Sequence, residues 1–319
     1  QLNMNTNHPT NNIHNAEALA DDIEKTQSGI IIPRPVKHLG SGFRSTVIRD
    51  ASGQVFRIGR TSNSVGGYKH EVKLLQFLRN QLPTAIPEPR LFAPRSEQFP
   101  GGVMTYRELP GHTLSTDVAD EDSWGSLATE LGEFLATLHQ IPTTTLQELK
   151  PQPSHSTIAE LEKTRIETTP TLKNRLSTDE MSRINRWWDE LFSAPEMHEY
   201  SPVLIHNDFW HKNILVRSNP PKLSGVIDWE HSRLGDPVID LVAVRYLGDK
   251  FARQVRAAYS NRIHVDPINM NFRLERQIVL REFGGIGYSI SHNDNIELDA
   301  SIEKLRNTGV TGISTGRST

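Results

Sequence analysis

The sequence predicts an α+β protein with two lobes, a small β-rich N-terminal lobe and a larger, mainly helical C-terminal lobe. The chain has 319 residues, which is long enough for two hydrophobic cores. Short alternating or β-branched segments, separated by glycine turns, fill much of residues 30–106. After residue 123 most apolar residues recur at helical spacing instead. We therefore expect an N-terminal lobe at residues 15–108 and a C-terminal lobe at 109–306.

The N-terminal lobe should begin with an amphipathic helix at residues 16–26, after a polar and asparagine-rich tail at 1–14 that we expect to be disordered. A run of strands follows, and turn residues such as Asp50 and Gly53 separate them. The expected strands lie near residues 36–39, 46–48, 54–58 and 102–106.

A glycine turn connects the first two strands, and its residues are Gly40, Ser41 and Gly42. Glycine tolerates unusual backbone dihedrals and leaves room for a ligand, so this turn suits a loop that folds over phosphate groups. An ordinary hairpin turn is the alternative interpretation.

Two charged residues come next in an order that suits nucleotide binding. Arg57 lies on the third strand, and Glu71 lies on a helix whose apolar residues keep helical spacing. A guanidinium group stays charged and can bind a phosphate while it pairs with a carboxylate. We expect Arg57 and Glu71 to pair, although two unrelated surface charges would give the same sequence.

The last strand of this lobe leads into a connecting segment at residues 108–111. Backbone groups there, with Glu108, are candidates for hydrogen bonds to a purine base, and Tyr106 is a candidate to contact the base. These residues do not distinguish ATP from GTP.

The C-terminal lobe should be built mainly from helices, because apolar residues recur at i, i+3 and i+4. We expect His139 and the Trp187-Trp188 pair to have structural roles, and a second disordered tail at 307–319. The expected helices are at about 123–140, 158–167, 177–192, 238–246, 251–259, 273–288 and 295–306, with a linker at 143–156.

Residues 205–215 form the clearest motif of the chain. Asp208 is followed five positions later by Asn213, and apolar segments flank the pair. This pattern matches the catalytic loop of kinases, in which an Asp orients the attacking hydroxyl group and an Asn binds magnesium. We therefore predict Asp208 as the catalytic residue and Asn213 as a magnesium ligand.

A second carboxylate follows the loop at the end of a short apolar strand. Asp228 comes after Val226-Ile227, and a turn around residues 218–222 separates this strand from the one after Asn213. The hairpin should bring Asp208 and Asp228 close to Asn213. Because carboxylate and amide oxygens suit Mg²⁺, we predict Asp228 as the second magnesium ligand.

These motifs resemble those of the aminoglycoside phosphotransferase family of small-molecule kinases. The resemblance implies a protein-kinase-like two-lobed fold and transfer of phosphate from ATP or GTP, with Mg²⁺, to a hydroxyl group of an antibiotic or metabolite. It extends more weakly over residues 15–306. The residues that carry it are His206-Asn207-Asp208, Asn213, Ile227-Asp228-Trp229, Gly235-Asp236-Pro237 and Asp240.

Two differences from protein kinases indicate an enzyme that is always active. Asn207 stands where protein kinases have an Arg that pairs with a phosphorylated loop. Few residues separate Asp228 from the Gly235-Asp236-Pro237 turn, so no regulatory loop fits there. We also expect Asp240 to brace the catalytic loop through backbone hydrogen bonds.

The acceptor should be a small hydroxylated molecule that carries positive charge. Asp208 would attract a cation, and Glu230 lies two residues after Asp228. Glu282 lies beside a glycine-rich segment that we expect to break its helix, although pairing with Arg276 or Arg281 is an equally good interpretation. Trp210, inside the catalytic loop, completes the candidate acceptor-binding residues.

Composition narrows the class of protein. A net charge of −3 argues against a general nucleic-acid-binding protein, and no apolar run has the length of a membrane span. The chain contains no Cys, and its first residues lack the apolar segment of a secretory signal. We expect a cytoplasmic monomer or weak dimer.

Two other functions fit parts of the sequence. One is a catalytically inactive kinase-like binding protein, which would have no chemical need for Asp208, Asn213 and Asp228 together. The other is a transition-metal site formed by His206, Asp208 and His211, which leaves Asn213 and Asp228 without a role.

Overall fold

The computed structural model describes residues 16–27, 29–41, 45–62, 64–93, 95–115, 124–149, 158–197, 199–218, 220–264 and 266–312. Gly42, the N-terminal tail at 1–14, the second half of the linker at 143–156 and the end of the C-terminal tail lie outside these ranges. The chain divides into two compact units, one made of Gln1–Gln81 and Ala85–Pro110, the other of Leu82–Thr84 and Gly111–Thr319. The sequence analysis placed this division after Glu108, and the structure places it after Pro110.

The first unit consists of strands and helices. Its described elements are α1 (Ala16–Thr26), β1 (Lys37–Ser41), β2 (Ser45–Arg49), β3 (Gln54–Gly59), α2 (Ser64–Leu78), β4 (Arg90–Ala93) and β5 (Val103–Arg107). The strands form a five-stranded antiparallel sheet with the order β1-β2-β3-β5-β4.

The core of this unit lies between α1 and one face of the sheet. Ala20 and Ile23 of α1 are fully buried in one cluster with Ile48 of β2 and Phe56 of β3. The helical period of α1 and the period of two in the strands place these side chains on facing surfaces. Side chains on the other face of β3, including Arg57, are therefore left for the helix α2, which carries Glu71.

The second unit contains most of the helices and two small antiparallel sheets. One sheet has the order β6-β8-β9, and the other pairs β10 with β7. Its elements are β6 (His112–Thr113), α3 (Gly125–His139), α4 (Ile158–Lys173), α5 (Thr178–Ser193), β7 (Val203–Ile205), β8 (Ile214–Arg217), β9 (Lys222–Val226), β10 (Arg233–Gly235), α6 (Val238–Ala243), α7 (Asp249–Ser260), α8 (Pro267–His292) and α9 (Asn295–Asn307).

Helix α8 is longer than predicted and continuous, so the break expected near Glu282 is wrong. It starts earlier because the Asp266 carboxylate accepts the Ile268 N–H at 3.0 Å and Pro267 occupies the first turn. The glycines do not end it, and one of them packs closely against a neighbouring helix. A Cβ on Gly285 would lie 2.9 Å from Ser301 Oγ of α9, so the glycine allows a close approach of the two helices.

Helix α4 also extends beyond its predicted end, through Pro170 to Lys173. A proline removes one hydrogen bond of a helix. Leu172 in the last turn is buried in the core cluster, and this burial favours the continued helix.

The core cluster of the second unit lies where α5, α8 and α9 meet. Trp188 is buried and Trp187 is partly buried against the same cluster, which confirms their structural interpretation. Val310 also packs on this cluster and Thr311 is buried, so order continues past residue 307, where the sequence predicted a tail. None of the described helices is long and apolar enough to cross a bilayer.

Candidate active site

The catalytic-loop motif connects β7 to β8 and ties Asn213 to Asp208. A short 3₁₀ helix at His211–Asn213 follows the loop. The Asn213 amide nitrogen donates to the backbone carbonyl of Asp208 and to its carboxylate Oδ2, both at 2.9 Å. Because the nitrogen makes these contacts, the amide oxygen is the atom of Asn213 that could bind a cation.

Asp228 reaches the same place through the β8–β9 hairpin. Ile214 is opposite Val226 in this hairpin, and the Ile227 N–H donates to the Asn213 carbonyl at 3.0 Å. This register places the residue after Ile227 beside the catalytic loop. Asn207 and Asp228 both have a φ of 65°, a left-handed conformation that Asn and Asp tolerate better than most residues and that often marks functional sites.

His206 connects the two acidic segments. Its Nε2–H donates to the Ile227 carbonyl at 3.0 Å, and its Nδ1 accepts the Asp208 N–H at 3.3 Å. Burial lowers the pKa of His206, in agreement with a neutral ring. With both nitrogens engaged, this His is a poor metal ligand. No group of three or more His, Asp or Glu side chains in the described ranges forms a metal site, so the transition-metal interpretation gains no support.

The carboxylate of Asp240 braces the loop from the buried side, as predicted. Its Oδ2 accepts the His206 N–H and its Oδ1 the Asn207 N–H, both at 2.8 Å. His139 Nε2 donates to Oδ2 at 3.2 Å, and the Tyr259 hydroxyl lies 3.0 Å from His139 Nδ1. Helices α3 and α7 therefore hold the loop through Asp240, and the structural interpretation of His139 is confirmed.

A buried ion pair fixes the turn that precedes α6. The Asp236 carboxylate accepts the Val238 N–H at 3.1 Å and Arg273 Nε at 2.9 Å. Burial raises the pKa of Asp236, while Arg273 opposes that shift. The sequence analysis gave Arg273 no role, because nothing near it in the sequence indicates a partner 37 residues away.

The electrostatics around Asp208 favour a bound cation. Burial and the neighbouring Asp228 carboxylate raise the pKa of Asp208. The Asp228 carboxylate and the Asn213 amide oxygen are ligands of the kind that Mg²⁺ prefers. Asn213 and Asp228 therefore fit a magnesium site beside Asp208.

In the first unit, the structure brings Arg57 and Glu71 together. Arg57 Nη1 lies 3.1 Å from Glu71 Oε1, and both side chains are buried. A Cβ on Gly40 would meet no heavy atom within 4 Å, and the Ser41 hydroxyl lies 2.8 Å from His38 Nε2. The expected pairing is present, whereas Gly42 lies outside the described residues.

Tyr106 lies near the end of β5, and Glu108 begins the connecting segment that follows it. Tyr106 is opposite Val55 of β3. The Glu108 carboxylate pairs with Arg49 at 2.7 Å, and its N–H donates to the Gly53 carbonyl at 2.9 Å. The carbonyl, rather than the N–H, is thus the backbone group of Glu108 that could bind a base.

The candidate acceptor-binding residues lie in three different environments of the second unit. Lys212 Nζ lies 5.0 Å from the centre of the Trp210 ring. Glu230 Oε1 lies 3.2 Å from His231 Nε2 and raises the pKa of that imidazole.

Glu282 is buried on α8, and its partner is neither of the arginines considered from the sequence. The Tyr246 hydroxyl donates to Glu282 Oε1 at 3.0 Å, and the Arg281 guanidinium lies over the Tyr246 ring. Burial raises the pKa of Glu282.

Comparisons with known proteins agree with this geometry. A family model described as a phosphotransferase enzyme family matches residues 35–270. The wild-type aminoglycoside 2′-phosphotransferase-IIIa in its GDP complex superposes with a TM-score of 0.81 at 22% identity, over 94% of this chain and 100% of that one. The GDP and kanamycin complex of APH(2″)-IIIa gives 0.77 at 22% identity, over 91% and 98%.

A macrolide phosphotransferase is similar as well. The apoenzyme of macrolide 2′-phosphotransferase MphH from Brachybacterium faecium gives a TM-score of 0.67 at 18% identity, over 91% of this chain and 98% of that one. At these identities the structural comparisons establish the fold. The α+β, protein-kinase-like fold that the sequence predicted is therefore confirmed.

Proposed function

The chain belongs to the phosphotransferase enzyme family, and from that premise we propose that it transfers the γ-phosphoryl group of a nucleoside triphosphate to a hydroxyl group of a small molecule. The observation that carries the proposal is the contact between Asp208 and Asn213, with the β8–β9 hairpin bringing Asp228 beside them. Phosphoryl transfer needs this set, because it depends on a positioned hydroxyl group and on neutralised phosphate charge.

Each residue has a distinct role in the proposed reaction. Asp208 orients the acceptor hydroxyl and accepts its proton, and its raised pKa makes it a better base than an exposed carboxylate. Asn213 and Asp228 hold Mg²⁺, which when bound neutralises phosphate charge. Asp240 and His206 keep the loop in place.

The nucleotide-binding role falls to residues of the first unit. Arg57, oriented by Glu71, binds phosphate oxygens. Gly40 and Ser41 are the last residues of β1, paired with β2, and not the turn that the sequence predicted, and in our proposal this end of the strand covers the phosphate chain. Tyr106 and Glu108 contact the base. Both ATP and GTP remain donors to test, since solved relatives of this fold include complexes with GDP and with ATP.

The acceptor we propose is an antibiotic with a hydroxyl group, such as an aminoglycoside or a macrolide, which makes the protein a resistance enzyme. Kanamycin- and gentamicin-complexed relatives and the macrolide phosphotransferases share its fold, which supports this class. A kinase for an amino-sugar or amino-alcohol metabolite is the alternative within the family. A catalytically inactive kinase-like binding protein is the less favoured alternative.

One experiment separates these possibilities. Turnover of ATP and of GTP is measured with magnesium against panels of aminoglycosides, macrolides and amino-alcohol metabolites. Asp208→Asn serves as the matched control, and its kcat should fall by about 10² to 10⁴ while nucleotide affinity stays near the wild-type value. Nucleotide binding without acceptor-dependent turnover in any panel would support the inactive alternative. Wild-type turnover in Asp208→Asn would remove this residue from catalysis.

The charge of the acceptor is tested through Glu230 and Glu282. Glu230→Gln and Glu282→Gln should raise the KM for cationic acceptors and leave the KM for neutral ones unchanged, because only the cation loses an electrostatic partner. Glu275→Gln on α8, an exposed acid, is the control. A wild-type KM for cationic acceptors in both variants would contradict this assignment.

A further inference from the structure

A groove between α7 and α8 has no part in the proposed reaction. It has a volume of about 250 Å³ and lies between one face of each helix. Asp249, Arg253 and Arg256 follow one another at helical spacing on α7, with Leu274 opposite on α8. Arg245, just before α7, also lines it. Three arginines therefore line one small, partly apolar groove.

The carboxylates at this groove do not balance its arginines. Asp249 Oδ1 pairs with Arg245 Nε at 2.9 Å. Glu275, also in the lining, pairs outside the groove with Arg276 at 3.4 Å. Within the described part of the chain, Arg253 and Arg256 have neither a hydrogen bond nor an ion pair. The groove therefore holds two guanidinium groups whose donors remain available.

The two arginines place like charges next to each other on α7. They stand at i and i+3 of one helix, where like charges repel. Arg256 is half-buried, and burial together with the charge of Arg253 lowers its pKa, with a further contribution from Arg245. Asp249 offsets only part of this repulsion. A bound anion would relieve the repulsion and satisfy the donors.

We propose that this groove binds the phosphate group of a small phosphate monoester. Guanidinium groups form paired hydrogen bonds to phosphate oxygens, and two of them can bind one dianion. The apolar side chains Leu274 and Ile278 give the organic part of the ligand a surface. The volume is slightly below the range of roughly 300 to 1,000 Å³ that holds drug-sized ligands, so the ligand is compact. The proposal is independent of phosphoryl transfer.

The test uses inorganic phosphate as the probe, titrated calorimetrically at constant ionic strength. Arg253→Gln and Arg256→Gln should each weaken phosphate binding at this site by about tenfold or more, because each removes a charged pair of donors. Arg186→Gln, which removes an exposed charge on α5, should leave the affinity within about twofold. Phosphate that binds at other sites of the protein should still bind in all three variants.

One further variant keeps the outcome clear. Arg256→Lys preserves the charge, so weaker binding in this variant than in the wild type supports the paired geometry. Arg253 is exposed, so its variant should fold normally. Equal phosphate affinity in the wild type and in both glutamine variants would overturn the proposal, as would the absence of any phosphate binding. Kinase activity does not enter this test.

Discussion

Replacing Asp240 with Asn should loosen the catalytic loop and destabilise the second unit. The wild-type carboxylate is fully buried and accepts two backbone N–H groups and one imidazole N–H. An amide keeps only one oxygen, so at least one buried donor loses its acceptor. The remaining hydrogen bonds are no longer charge-assisted, because the amide is neutral. A charge-assisted bond contributes about 1.5 to 3 kcal/mol and an unsatisfied buried donor costs about 1 to 3 kcal/mol, so we expect a loss of roughly 3 to 5 kcal/mol.

Tryptophan fluorescence during urea unfolding measures this loss in the second unit alone. All five tryptophans of the chain lie in that unit. Asp249→Asn is the control, because it removes an exposed ion pair that should contribute at most about 1 kcal/mol. Tyr259→Phe gives an intermediate case. It removes one hydroxyl hydrogen bond to His139, and we expect about 1 to 2 kcal/mol.

The same substitution should affect catalysis in a characteristic way. Asp240 touches the backbone of His206 and Asn207, and the next residue is the proposed catalytic Asp208. Asp240→Asn should therefore lower kcat more than it raises the KM for nucleotide, since the loop and not the first unit is disturbed. The argument fails if Asp240→Asn costs under about 1 kcal/mol, or if kcat is unchanged in a folded variant.

Three further predictions follow from other contacts. Asp228→Ala should abolish the magnesium dependence of nucleotide affinity, measured by titration with and without Mg²⁺, and an unchanged dependence would place the metal elsewhere. Glu71→Gln removes the carboxylate that pairs with the buried Arg57, and we expect it to destabilise the first unit by about 3 to 5 kcal/mol. Hydrogen exchange of the β3 backbone amides should therefore accelerate. An unchanged exchange rate would show that the Arg57–Glu71 ion pair does not stabilise this unit. The raised pKa of Glu282 means that its contribution to stability is complete below the unfolded pKa and is lost as pH rises through the folded pKa. Glu282→Gln should therefore reduce the fall in the free energy of unfolding with rising pH, which urea unfolding measures from pH 4 upwards. A fall equal to that of the wild type would contradict this prediction.

The sequence by itself determined the elements that depend on local patterns. The clustering of Asp208, Asn213 and Asp228 could be predicted because the loop and the hairpin that join them are short, and a short hairpin has few possible registers. The pairing of Arg57 with Glu71 followed from the order of a strand and a helix. The Asp266-Pro267 pair is also a local signal for a helix start, although the helix was predicted to begin at residue 273.

Only the tertiary structure decided the contacts between residues that are far apart in the chain. The connection of Tyr259 and His139 to Asp240, the pairing of Asp236 with Arg273, and the hydrogen bond from Tyr246 to Glu282 all join separate helices. The continuity of α8 through its glycines has the same origin, because α9 packs against Gly285. The helix preference of a residue other than proline differs from that of alanine by about 1 kcal/mol or less, so the burial of helix faces outweighs it. Which faces are buried depends on the packing of the whole unit.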